Sequence, residues 1–225
     1  MKDTSFSVQL VAQTSAVPQP GAHDGMSPNE FIAYVARVSN PTNQMNHETA
    51  PKLLRYLIKH KHWSPFEHAY LTFKITTSRA IAAQILRHRS FVFQEFSQRY
   101  QVATNTIAYK ARRQDSKNRQ NSIDDMSDED QMWFAEAQKQ LAEKSMEIYN
   151  TALQKGVAKE QARMVLPLST ETTLFMTGSV RSWLHYIEVR TDPTTQKEHR
   201  DIALAIKSVV SEQYPELGSA MWQNS

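Results

Sequence analysis

Arg87, His88 and Arg89 stand together, and after seven intervening residues come Ser97 and then Arg99 and Tyr100. The full run, RHRSFVFQEFSQRY, interleaves cations, an acid and aromatic rings within fourteen positions. Arginine offers a planar fork of donors that matches phosphate oxygens, and serine adds a hydroxyl donor. The segment therefore reads as a cradle for an anionic nucleotide. A simpler reading applies to its first three residues, because cations are favoured at the negative end of a helix dipole. That reading leaves Glu95, Ser97 and Arg99 unexplained, which alternate with Phe93 and Phe96.

Other groups carry weaker signals. His60, His62 and His68, with Glu67, have metal-ligand types but only loose spacing, and no metal is expected. Lys110, Arg112, Arg113, Lys117 and Arg119 form a basic stretch that reads as a solvated loop rather than a nucleic-acid contact. The chain has no cysteine, which excludes disulfides, thiolate metal sites and a cysteine nucleophile. Covalent chemistry then falls to a weaker nucleophile or to a bound cofactor. The net charge of +3 is too small to mark a nucleic-acid binder. No apolar run approaches the roughly 20 residues that span a bilayer, so a cytoplasmic protein without membrane contact is expected.

These side chains need a scaffold. Its 225 residues, 40% hydrophobic and 22% charged, suit a single domain over 1–225. Ser5–Gln13 and Tyr70–Thr76 alternate apolar and polar residues as half-buried strands, with Leu71, Phe73 and Ile75 inward. Residues 14–27, with Pro18, Pro20 and Gly21, read as a loop. Helices are expected from Pro28, over Thr49–Lys61, and over Ala80–Arg87 behind an N-cap at Ser78. Gln114–Asp125 reads as an exposed loop. Ser127 opens a long helix whose stripe is Phe134, Ala137, Leu141, Ser145, Ile148 and Ala152, with Gly156 closing it. Trp133 and Phe134 read as core or interface. Lys159–Leu166 and Val180–Val189 predict helices, Thr170–Thr177 a strand, and Ile202–Val210 part of a final helix. No internal repeat is evident. Strands separated by clustered helices imply an α+β fold with a largely antiparallel sheet.

Arg-His-Arg, seven residues, then Ser is the signature of the flavin-dependent thymidylate synthases, and the chain resembles that family in four further blocks. These are Arg37-Val38-Ser39, His60–His68 (HKHWSPFEH), Ala162–Leu168 (ARMVLPL), and Val180-Arg181-Ser182 with Arg190 and Asp192 downstream. The resemblance implies reductive methylation of dUMP to dTMP. Its implied cofactor is FAD, with NADPH and methylene-tetrahydrofolate as co-substrates. It implies flavin contacts at Ser39, Ser64, Glu67, Arg87, His88, Arg89, Glu95, Ser179, Arg181 and His185. It implies dUMP contacts at Gln84, Arg87, Arg163 and Arg190, and at Glu95, Phe96, Ser97, Gln98 and Arg99 of a neighbouring subunit. Arg190 would polarise the uracil ring, and a homotetramer would pool residues between sites. Val92, Gln94, Ser179, His185 and Thr194 depart from residues common in the family. Two other readings are a nucleic-acid module built on segment 87–100, which would bind oligonucleotides without flavin, and a flavin-binding relative that has lost catalysis.

Overall fold

A computed structural model of the protein describes residues 6–17 and 25–222. Ser5 and the expected loop residues Pro18, Pro20 and Gly21 lie outside them. A four-stranded antiparallel sheet orders its strands β1-β2-β6-β3. β1 is Ser7–Gln13, β2 Tyr70–Ser78, β3 Val92–Glu95 and β6 Glu171–Ser179. The expected α+β class and antiparallel sheet are both present.

Period-two alternation decides which face is covered. Leu71, Phe73 and Ile75 of β2 and Leu174 and Met176 of β6 are fully buried on one face. The opposite face carries Thr72, Lys74, Thr76, Thr173, Phe175 and Thr177, none of them buried. Helix α6 (Val180–Arg190) meets the apolar face through Trp183. That ring lies 4.8 Å from Phe73 and 4.7 Å from Phe91, and its indole N–H donates to the Leu71 carbonyl at 3.0 Å. A buried indole needs such an acceptor, because an orphaned N–H is costly. Helix α7 (Lys197–Gln213) buries Ile202, Ala203, Ile206 and Val210 in the same core.

The two central strands contain a repeat that the sequence alone does not reveal. β2 ends at Ser78, whose hydroxyl caps helix α3 (Arg79–Ile85). β6 ends at Ser179, whose hydroxyl caps α6 in the same way. The strands pair antiparallel from Tyr70 opposite Ser179 to Ser78 opposite Glu171. Hydroxyl pairs Thr72–Thr177 and Thr76–Thr173, at 2.9 and 3.0 Å, sit symmetrically about the centre of the ladder. This local two-fold sends α3 and α6 out from opposite ends of one strand pair.

Helix α1 (Pro28–Ala36) has a capping box of Ser27 and Glu30, and α2 (Ala50–Lys59) buries Leu54, Leu57 and Ile58. The expected loop after Gln114 is a small hairpin, β4 (Arg113–Gln114) against β5 (Ser122–Ile123). Its few apolar residues hid it, since Asp115 and Asn121 hold the turn with polar contacts. Helix α4 (Asp128–Gln154) is capped by Ser127, but its stripe is only partly covered. Ser145 and Tyr149 are buried, whereas Leu141 and Ile148 are exposed. Trp133 is 67% exposed and so belongs to no core of this chain. Helix α5 (Lys159–Ala162) is short and tightens into a 3-10 turn over Arg163–Val165, because Pro167 drives Leu166 into an extended conformation. Helix α8 (Pro215–Trp222) was not expected from the pattern; it packs on α2 and α7 through Leu217.

Candidate active site

The C-terminal ends of α3 and α6 converge on a cleft of about 670 Å³ lined by Gln84, Arg87, Arg190, Asp192, Thr194 and Gln196, among others. That volume suits a small-molecule site. Arg190 is the last residue of α6, where the helix dipole favours a cation. Its Nε donates to His88 Nε2 at 2.8 Å, which makes that nitrogen an acceptor and leaves the ring proton on Nδ1. The His88 pKa is pushed down to about 4 by burial, then by the charges of Arg190 and His185. His88 is therefore neutral at pH 7.

Gln84 projects from α3 into the same cleft. Its amide nitrogen donates to Gln196 at 2.6 Å, and its oxygen lies 3.4 Å from His199 Nδ1. His199 is fully buried, and its Nε2 meets the Tyr186 hydroxyl at 3.0 Å. Its pKa falls to about 3, through burial first and then the charges of Arg190 and His88. Both histidines are depressed in the folded state, so the unfolded chain binds more protons below its ordinary histidine pKa near 6.5. The stability they contribute is present above pH 6.5 and is lost as pH falls toward 4 and 3. Glu30, Glu67 and Glu198 are also depressed, but from 4.5, so they act lower. Denaturant midpoints should therefore fall between pH 6.5 and 5, and His199→Gln should show a smaller fall than the wild type. Equal falls in the two proteins would remove His199 from this account.

A second cluster forms where β6 meets α6. Glu67 ends the 3-10 turn Ser64–Glu67 and accepts from Ser179 at 2.5 Å and from Arg181 at 2.7 Å. Burial raises the Glu67 carboxyl, but these two donors outweigh it and hold its pKa below 4.5. Glu67, Ser179 and Arg181, read from distant segments, thus meet in space, with exposed Ser64 on the same turn. Arg87 and Arg89 are exposed, and neither guanidinium meets a partner among the described residues. His185 and Ser39 are exposed, and Ser39 edges a separate groove with Arg37 and Asn40.

Segment 95–99 stands apart from the cleft. Arg79 ties it down by pairing with Glu95 at 3.0 Å and donating to the Phe96 carbonyl at 3.0 Å, while Thr172 also donates to Glu95. Gln98 is buried, its amide nitrogen has no partner among the described residues, and it shares a hollow of about 240 Å³ with Arg163 and Arg79. Ser97 and Arg99 line a further hollow with Lys159 and Glu160, where Arg99 pairs with Glu160 at 3.1 Å. No hydrogen bond joins this segment to Gln84, Arg87 or Arg190 among the described residues.

Sequence reasoning missed Arg79, Tyr186, Gln196, Glu198 and His199. It also read Arg112 as solvated, whereas Arg112 pairs with Glu198 at 2.6 Å with side chains only 13% and 8% exposed. Only the position of Arg190, six residues before that Gln-x-Glu-His run, pointed there. The His60 and His62 rings pack against Tyr56, the first tilted and the second edge-on. Among the described residues no group of three His, Cys, Asp or Glu side chains is placed to hold a metal, and no helix is long and apolar enough to cross a membrane.

Comparison with known proteins gives this arrangement a family. A family model described as thymidylate synthase complementing protein matches residues 23–216. The "Flavin-dependent thymidylate synthase" of Synechocystis is 54% identical over 196 residues, covering 87% of this chain and 90% of that one. The "Probable flavin-dependent thymidylate synthase" of Paramecium bursaria Chlorella virus 1 is 53% identical over 213 residues, covering 94% and 99%. A crystal structure of the UMP/dUMP methylase PolB from Streptomyces cacaoi, bound with 5-Br dUMP, shares the fold at a TM-score of 0.80 and 24% identity, covering 96% and 94%. With that family model spanning most of its length and such relatives matched almost end to end, the chain belongs to the flavin-dependent thymidylate synthase family.

Proposed function

We propose that this chain is a flavin-dependent thymidylate synthase that converts dUMP to dTMP, working as one domain in the cytoplasm. The observation that carries the reading is the cleft itself: Gln84, Arg87 and Arg190 converge there beside a neutral His88, in a chain without cysteine. Arg87 would bind dUMP with Gln84, and Arg190 would sit against the pyrimidine, while Arg163, which shares a hollow with Gln98, would reach dUMP with segment 95–99. A fixed guanidinium there stabilises negative charge as it develops on the ring, without reorganisation at the moment of reaction. His88 accepts from Arg190 Nε and so orients the fork, leaving the outer nitrogens for the ring.

The side chains fit FAD. Arg87 and Arg89 are cations with no partner among the described residues, the donors a pyrophosphate needs, and the Glu67–Ser179–Arg181 cluster adds a polar wall. Ser39, Ser64, His88, Glu95 and His185 complete the set proposed to hold it. The bound flavin supplies hydride chemistry, with NADPH as reductant and methylene-tetrahydrofolate as carbon donor.

The separation of segment 95–99 from the cleft supports a homotetramer in which Glu95, Phe96, Ser97, Gln98 and Arg99 serve a neighbour's site. Bare apolar residues support it too: Trp133 and Leu141 on α4, and Val92, 69% exposed, on the outer strand. Purified protein should quench FAD fluorescence, sediment as a tetramer, and form dTMP from dUMP only with FAD, NADPH and methylene-tetrahydrofolate together. Protein that neither binds FAD nor forms dTMP would overturn the reading, and a fully active monomer would remove the shared sites. Salt-sensitive oligonucleotide binding without flavin would favour the nucleic-acid alternative.

A further inference from the structure

Gln84 is one link in a row of side chains that runs beneath the cleft and ends on a buried carboxylate. Glu198 is buried, and its Oε1 is held by Arg112 Nη2 at 2.6 Å. Its Oε2 accepts from the Gln196 amide at 2.9 Å. Gln196 Oε1 accepts from Gln84 Nε2 at 2.6 Å, Gln84 Oε1 faces His199 Nδ1 at 3.4 Å, and His199 Nε2 faces the Tyr186 hydroxyl at 3.0 Å.

A carboxylate paired with arginine can only accept. Gln196 must then turn its NH2 toward Glu198 and its oxygen toward Gln84. Gln84 must turn its NH2 toward Gln196 and its oxygen toward His199. His199 must carry its proton on Nδ1 and accept from the tyrosine. Each step follows from the one before, so a single anion determines the direction of the whole row. A free amide has no such preference, since its two ends differ little in shape.

We infer that Glu198, anchored by Arg112, fixes the orientation of the Gln84 amide and thereby makes the cleft read uracil rather than cytosine. Glu198, Gln196 and His199 are positioning residues in this account. It rests on the proposed role of Gln84 in meeting dUMP. An amide is suited to the base rather than the phosphate, because it offers a donor and an acceptor together while phosphate oxygens only accept. Uracil presents an N3–H donor beside an O4 acceptor, and cytosine presents N3 as acceptor beside an N4 donor. Reversing the amide exchanges the two matches.

Glu198→Gln should cause that reversal. Arg112 will claim the oxygen of the new amide, leaving its NH2 toward Gln196, and every link then turns over. Titration of FAD-saturated protein with dUMP and with dCMP reads the result. We expect dUMP to bind about tenfold more weakly, with the preference for dUMP over dCMP falling by at least as much. Adding Gln196→Glu to Glu198→Gln places a carboxylate next to Gln84, which restores the original direction and should restore both affinity and preference. Gln196→Met, at an exposed position that threatens no core, cuts the row and should lower the preference less than Glu198→Gln does. Wild-type protein that binds FAD but not dUMP would overturn the functional reading and this inference with it. Wild-type protein that prefers dUMP, with the same preference in Gln196→Met and Glu198→Gln, would overturn the inference alone. So would a loss in Glu198→Gln that the second substitution does not rescue, since that marks general damage around Arg112.

Discussion

Arg190→Ala is expected to lower dTMP formation by about a hundredfold or more while leaving FAD binding and folding stability nearly unchanged. The guanidinium lines the cleft at the end of α6 and is positioned by one hydrogen bond to His88 rather than by a carboxylate. A carboxylate would neutralise the charge that the reaction needs; a neutral imidazole orients it and leaves it intact. Because burial and the Arg190 charge together depress His88, removing the charge should also let the His88 pKa rise from about 4 toward its ordinary value. Titration of the His88 ring by NMR would show this. Arg190→Lys keeps the charge but loses the planar fork, so it should recover part of the pKa effect and little of the rate. Near-normal turnover by Arg190→Ala, with flavin content intact, would end the catalytic assignment.

Phe91→Ala should have the largest effect on stability, about 3–5 kcal/mol. Phe91 follows the Arg87–Arg89 run and is 7% exposed, with its ring 4.7 Å from Trp183 and 5.9 Å from Tyr186. It packs so closely over β6 that a Cβ at Gly178 would lie 2.5 Å from its ring. Only glycine permits that approach. Gly178→Ala should therefore destabilise by about 1–3 kcal/mol through overpacking. The two changes touch the same atoms and should not add: Phe91→Ala vacates the space that an alanine at 178 needs. Strict additivity in denaturant unfolding would show that Phe91 and Gly178 are not in contact. Phe91 also borders His88, with ring centroids 6.3 Å apart, so both variants should lose activity in excess of their unfolded fraction.

Local chemistry made much of this protein legible in one dimension. Strand periodicity located the inward Leu71, Phe73 and Ile75, and hydroxyl caps placed the starts of α3 and α4 at Ser78 and Ser127. The Arg-His-Arg signature with its companion blocks pointed to the family. These signals are short-range: each depends on residues within a turn or two of one another. The convergence of Glu67 with Ser179 and Arg181 is different in kind, since those residues lie more than a hundred positions apart and meet only because β2 and β6 pair in one register. The same pairing creates the two-fold that aims α3 and α6, which no sequence repeat announces. Arg112 shows the limit most clearly. A basic run looks solvated wherever it occurs, and only the fold could bring one of its members to a buried carboxylate on α7. Burial converts an unremarkable Glu198 into an anion whose hydrogen-bond direction matters, because the desolvated carboxylate must be paired and each of its neighbours must comply. Residue type determined which chemistry was possible; long-range packing decided which of those groups meet, and with which of their atoms.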